Sequence, residues 1–263
     1  MNPSPDDAAV PRTIGGLFGL AFRVVAERAP LYLLLVLGAF AAAAIAEWVL
    51  PVMPLDSPRG QFKEFVVNFT SVFADALVMA AVALGVGSKA GGETAPWSTL
   101  LSGAVQRWLT VIFVSILVQM IVVLTIPFSG LVPSRDIAVV VTVAVMAPAT
   151  WLMWSVLGLA APIATLSADR AGLAIVMSFG RAFAIALRRE NALRLCVLAA
   201  VTGLPIVVAT IAFRVMLDHH VLRASFWANA PLDALTIVPV TALQTAFALD
   251  FARRAGRLER PKD

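Results

Sequence analysis

The chain has 263 residues, 60% of them hydrophobic and 14% charged, with a mean hydropathy of +0.90. That composition excludes a soluble globule with a wetted surface and is that of a membrane protein. The net charge of +4 sets 20 Lys and Arg against 16 Asp and Glu; the basic residues fringe apolar stretches and form no separate basic domain, so no nucleic-acid partner is expected.

The first predicted element is an amphipathic helix in "RTIGGLFGLAFRVVAER". Arg12, Gly16, Gly19, Arg23 and Glu27 fall on one face, and Ile14, Leu17, Phe18, Ala21, Phe22 and Val25 on the other. Arg23 and Glu27 form an i,i+4 pair. The first apolar stretch, Leu31 to Leu50, follows. About thirty residues precede it, including the acidic Asp6, Asp7 and Glu27, which opposes a secretory-signal reading of "AAAAIAEW". Gly38, Ala42 and Ala46 form a small-residue stripe on it, a faint sign of a homo-oligomer or of packing within the chain.

The second stretch, Phe65 to Val86, carries Asp75 in an otherwise apolar run. An ionised carboxylate at the centre of a bilayer costs about 2.5–3.5 kcal/mol on insertion scales, so Asp75 must face protein or water. The acid form is cheaper to desolvate, and Asp75 is predicted to be protonated or hydrogen-bonded to an amide. Asn68, on the same helix, and Gln119 and Gln244, near the middle of their own stretches, are its candidate partners in one interior polar site.

"GVGSKAGG", Gly85 to Gly92, lacks the spacing of a phosphate-binding loop and follows a helix, so it reads as a helix exit. A second amphipathic helix is expected in "TAPWSTLLSGAVQRW", Thr94 to Trp108, with Ser98, Ser102 and Gln106 on its polar side and Trp97 and Trp108 at interfacial depth. Leu109 to Leu131 and Ile137 to Ala161 are the third and fourth stretches. A third interfacial segment, "GLAIVMSFGRAFAIALRRE", is apolar on every side except at Ser178 and Arg181. It is placed at the surface or partly buried against the bundle. Ala192 to Phe213 and Pro231 to Phe251 complete the six. Pro148, Pro205 and Pro239 lie inside stretches, where proline interrupts the backbone ladder.

Each stretch is long enough to cross roughly 30 Å of hydrocarbon, and lipid demands that backbone groups pair within the segment. The expected fold is therefore all-α: a single membrane domain over residues 1–263 with six transmembrane helices. Fifteen of the 20 basic residues fall on the side of both termini, which places the termini in the cytoplasm. Lys89, Arg170 and Arg254 recur at spacings of 81 and 84, and Arg28, Arg107 and Arg189 at 79 and 82. That period divides the chain into candidate repeats at 12–92, 93–172 and 173–256, each an interfacial helix before a pair of spans, with 257–263 as a basic tail.

"TIGGLFGLAFRVVAERAPLYLLL", "PIATLSADRAGLAIVMSFGRAFAIALRRENALRLCVL" and "ALDFARR" together carry a family likeness. The chain resembles bacterial integral membrane proteins related to the membrane domain of some glycerophosphodiester phosphodiesterases and to the YciC-like six-span family. Asp169 stands where that pattern has glutamate, Ala182 follows Arg181 in place of serine, and Phe251 with Arg253 or Arg254 matches its aromatic, basic exit. The resemblance implies a six-span fold and no enzymatic activity, since phosphodiesterase chemistry belongs to a separate soluble domain.

No catalytic pair emerges from the residues either. "DHH", Asp218 to His220, reads as a polar loop, the lone Cys196 allows no intrachain disulfide, and no metal or cofactor is expected. Two functions remain. The first is a non-enzymatic multi-pass protein of the bacterial cytoplasmic membrane. It would serve envelope homeostasis through phospholipid or partner-protein contacts made by Arg23, Arg28, Arg107, Arg181, Arg188, Arg189, Arg194, Arg253 and Arg254. The second is a small transporter or channel with a polar site around Asp75. The sequence favours the first, because one ionisable residue at depth is few for a transporter.

Overall fold

The computed structural model describes residues 10–51, 57–125, 147–167, 171–203 and 225–259, with the side chains of 121–125, 147–150, 225–235 and 255–259 and of Gln61, Glu64, Asn68, Gln119, Trp154 and Ala171 outside the description. The described residues are helical, with no strand among them.

Helix α1 spans Ile14–Glu27 and starts where the Thr13 hydroxyl accepts from the Gly16 N–H at 3.1 Å. Helix α2, Ala29–Val49, follows after Arg28 alone. The break has a local cause: Pro30 has no N–H for the Ala26 carbonyl, four residues back. Helix α3, Pro58–Ala90, is capped by the Ser57 hydroxyl on the Gly60 N–H at 3.0 Å and ends at Gly91 and Gly92, the latter with φ of 81°. At 33 residues it is about 50 Å long, more than a bilayer core requires.

Helix α4 runs unbroken from Trp97 to Thr125. The expected interfacial helix at 94–108 is therefore no separate element. Ser98, Ser102 and Gln106 lie on the first half of the helix that carries the third apolar stretch, because no proline falls between them and Leu109 to interrupt the ladder. The fourth stretch is described from Ala147, as α5 (Ala147–Leu157) and α6 (Ala160–Leu166). Helix α7 is Ala171–Ala186, followed by a 3-10 turn at Arg189–Asn191, α8 at 192–203 and α9 at Ser225–Glu259. Arg170, Pro205 and Asp218 to His220 lie outside the described residues. Among the described residues three helices are long and apolar enough to cross a membrane: α2, α3 and the Trp97–Val118 part of α4.

The packing is organised around α3 and α9. Helix α3 lies between α2 and α4, and α9 packs on α3, α1, α2, α6 and α7. From Thr241 to Ala248 every residue of α9 is buried, as are Asp250 and Phe251, the pattern of a helix enclosed by others. Helix α1 lies on α9 and α3. Its buried side is Leu17, Leu20, Ala21 and Val24, while Phe22 is 53% exposed. The apolar face is thus turned by about one residue from the expected one, because α9 and α3 cover the Leu20 and Val24 side, and Phe18 meets Phe247 edge-on at 6.1 Å. Helix α7 contacts α4, α5, α6 and α9 through a stripe of small residues, Ala174, Ser178, Ala182 and Ala186, all buried. It is held against the bundle, with Leu173 and Val176 outward.

Two contacts fix how closely helices approach. A Cβ on Gly85 would lie 2.2 Å from the Tyr32 hydroxyl, so the bare backbone of α3 is what admits Tyr32 of α2. A Cβ on Gly203 would fall 1.6 Å from Trp151 Nε1, which donates to the Ala199 carbonyl at 2.6 Å and ties α5 to α8. On the small-residue stripe of α2, Gly38 is exposed and its Cβ position meets nothing within 4 Å.

Candidate functional site

A cavity of about 270 Å³ opens where α3, α4, α9 and the junction of α5 with α6 converge. Helix α3 presents Val72, Asp75 and Met79, one face at spacings of three and four. Helix α4 adds Ser115 and Val118, and α9 adds a face from Thr236 through Thr241 to Gln244. Asp75 sits near the middle of α3, and the Ser71 hydroxyl one turn back donates to its Oδ2 at 3.4 Å. Asp75 is the sole ionisable residue among the described residues lining the cavity.

Gly158 also lines the cavity, at the point where the α5–α6 helix is interrupted. The interruption follows from Pro162: it has no N–H for the Gly158 carbonyl, and its ring crowds that carbonyl out of helical line. The chain turns at Gly158 and Leu159, with the Leu159 N–H bonded to the Val156 carbonyl at 3.1 Å, and resumes as α6. Ser115 Oγ, on the facing helix, is buried and has no hydrogen-bond partner among the described residues. Among the described residues the cavity thus holds one carboxylate, uncharged oxygen-bearing side chains from α4 and α9 and a wall of aliphatic side chains. A carboxylate so placed can take up and release a proton or hold one positive charge.

Of the four polar residues expected to meet, the structure brings Asp75 and Gln244 onto this one cavity. Asn68 lies two turns before Asp75 on α3 and Gln119 one turn past Ser115 on α4, and their side chains lie outside the described ones. Ser115, Gly158, Pro162, Thr236 and Thr241 were missed by sequence reasoning. The signal for two of them was present, since a glycine four residues before a proline inside an apolar stretch marks a helix break.

A second polar centre lies at the end of α9. Asp250 is fully buried and receives three guanidinium groups: Arg194 Nε at 3.0 Å, Arg253 Nη2 at 2.9 Å and Arg254 Nε at 2.9 Å. Arg194 also donates to the Arg12 carbonyl at 2.7 Å, and Arg253 to the Val10 carbonyl. One buried carboxylate therefore clasps α8, α9 and the segment leading into α1. The signal was the "DFARR" spacing, which sets two arginines one turn beyond the acid.

The remaining arginines considered for lipid contact are spread over the fold. Arg28 is 5% exposed and donates to the Ala95 carbonyl at 2.7 Å. Arg181 is half-buried and donates to the Ser167 hydroxyl at 3.4 Å. Arg107 and Arg188 are half-buried, and Arg23 and Arg189 are exposed. No group of three or more His, Cys, Asp or Glu placed to hold a metal occurs among the described residues.

No protein-family model, curated protein or solved structure matches this chain.

Proposed function

We propose that the protein is a small, non-enzymatic, multi-pass transporter of the bacterial cytoplasmic membrane, with both termini in the cytoplasm and the cavity around Asp75 as its working site. The observation that carries this reading is that Asp75 and Gln244, from helices far apart in the chain, line one cavity together with the interrupted α5–α6 helix. A carboxylate in an apolar segment costs several kcal/mol unless protein or water receives it, so its retention in such a cavity is what a proton- or cation-handling site requires. Interrupted helices support the same reading. Backbone freed from its ladder is tolerated at membrane depth only where it is buried in protein or lines a cavity, as at transporter substrate sites.

The phospholipid-contact reading draws less support. Arg28, Arg194, Arg253 and Arg254 are engaged by protein partners, and among the nine arginines considered, Arg23 and Arg189 are the exposed ones. The test is reconstitution in liposomes under an imposed pH gradient, comparing the natural chain with Asp75→Asn. The natural chain is expected to dissipate the gradient at a rate that falls at least tenfold in the variant. Equal rates from two preparations that unfold at the same temperature would remove the transport reading.

A further inference from the structure

We infer that the cleft between the end of α2 and the start of α3 holds a membrane phospholipid, with its phosphate on Arg59 and Lys63 and an acyl chain along the phenylalanine stripe of α3. This site is separate from the Asp75 cavity and goes beyond the transport reading.

The cleft has a volume of about 260 Å³, lined by Leu50 and Pro51 after α2 and by Pro58, Arg59, Phe62 and Lys63 on α3. Arg59, Phe62 and Lys63 stand at spacings of three and four, so two cations and an aromatic ring share one helix face. The walls are held in place. Lys63 Nζ bridges to Glu47 Oε1 at 2.9 Å and ties α2 to α3, and a proline in the first turn of α3 fixes the backbone there.

The cleft lies where two spans end, since α2 and α3 are both long and apolar enough to cross a membrane. Trp48, in the last turn of α2, is 85% exposed. An outward indole at the end of an apolar helix suits the boundary between headgroups and hydrocarbon, where the ring is covered and the N–H stays wet.

The cations select the head group. Arg59 is exposed, and its planar guanidinium presents paired N–H donors that match phosphate oxygens. Lys63 gives one donor to Glu47 and keeps two more. A phosphodiester has two unesterified oxygens, one for each cation.

The stripe then accounts for the rest of the ligand. Phe62, Phe65 and Phe69 are exposed and lead along α3 to Phe73. Phe65 and Phe69 stack at 5.6 Å, and Phe69 meets Phe73 at 4.4 Å. The stripe ends where Trp108 of α4 meets Phe73 edge-on at 5.9 Å. From Phe62 to Phe73 the helix rises about 16 Å, close to the half of a roughly 30 Å hydrocarbon core that one acyl chain fills. Cations for a phosphate and an apolar track of chain length thus start from one cleft, which is what a phospholipid requires of its site.

The experiment is native mass spectrometry of the purified full chain in detergent, titrated with dioctanoylphosphatidylglycerol. Dioctanoylglycerol supplies the chains without the phosphate, and glycerol 3-phosphate the head without the chains. The phospholipid is expected to bind at least tenfold more tightly than either. Arg59→Gln and Leu50→Trp, which fills the cleft and leaves both cations in place, should each weaken phospholipid binding at least fivefold. Arg23→Gln, at an exposed arginine of α1, should leave it unchanged. Equal binding of phospholipid and diacylglycerol would overturn the assignment, as would a loss in Arg23→Gln matching that in Arg59→Gln, which is the mark of general charge attraction. Glycerol 3-phosphate binding as tightly as the phospholipid would make this a free-anion site and overturn the lipid. Should Arg59→Gln unfold at a lower temperature than the natural chain, Leu50→Trp decides alone: phospholipid binding unchanged in that variant overturns the site.

Discussion

Replacing Asp250 by Asn tests whether the clasp at the end of α9 holds the bundle together. Asp250 is fully buried, and its three ion pairs are 2.9–3.0 Å long. Removing one partner from a buried ion pair costs roughly 3–5 kcal/mol, because the opposite charge stays behind uncompensated. The three arginines do not respond alike. Arg254 is 29% exposed and relaxes toward water, whereas Arg194 and Arg253, at 14% and 11%, are pinned by their second hydrogen bonds to the Arg12 and Val10 carbonyls. Asn keeps the volume and one acceptor oxygen, so the loss should fall at the lower end, about 3 kcal/mol. The internal control is Glu27→Gln, which breaks the Lys89–Glu27 bridge, equally short at 2.9 Å but 29% and 40% exposed. That substitution should cost under about 1 kcal/mol, and less in high salt. Reversible unfolding in mixed micelles with increasing dodecyl sulfate measures both, and limited proteolysis after Arg12 should accelerate in Asp250→Asn alone. An Asp250→Asn loss below about 1 kcal/mol, or one equal to that of Glu27→Gln, would refute the argument that burial and pinning set the magnitude.

Gly85→Ala places a methyl 2.2 Å from the Tyr32 hydroxyl and should destabilise by about 1–3 kcal/mol; Tyr32→Phe in the same chain should restore most of it, and thermal unfolding of the single and double variants reads the coupling. Tyr32→Phe alone should be neutral or stabilising, since the hydroxyl is buried with no partner among the described residues. Pro162→Ala returns an N–H to the Gly158 carbonyl and removes the local cause of the helix break. Its expected result is an unfolding temperature no lower than the natural chain's and a proton flux at least tenfold slower; unchanged flux would detach the break from the site.

The features legible in the sequence are those that the chain settles over four residues. Proline withholds one N–H from the carbonyl four residues back, and Pro30 separates α1 from α2 for that reason, as Pro162 separates α5 from α6. A side-chain cap at Thr13 or Ser57 is likewise a matter of neighbours. Apolar runs of sufficient length at α2 and α3 follow from composition, since an unbroken helix satisfies its own backbone. The continuity of α4 was legible too, because nothing between Trp97 and Leu109 breaks a helix, but the polar stripe at Ser98, Ser102 and Gln106 suggested a boundary that the backbone does not make.

What the sequence by itself determined is the all-helical character of the chain, its apolar helices and the presence of one carboxylate that must find a receptive neighbour. Which neighbour it finds was decided only by tertiary structure. Successive side chains turn by about 100° around a helix axis, so a rotation of one residue, as at α1, exchanges Phe22 for Val24 in the core. The placing of Asp75 and Gln244 on one cavity, and the pairing of Asp250 with Arg194, depend on how separate helices rotate and lean on one another. That choice is made by the summed packing of many small contacts across the bundle, and no short stretch of sequence contains it.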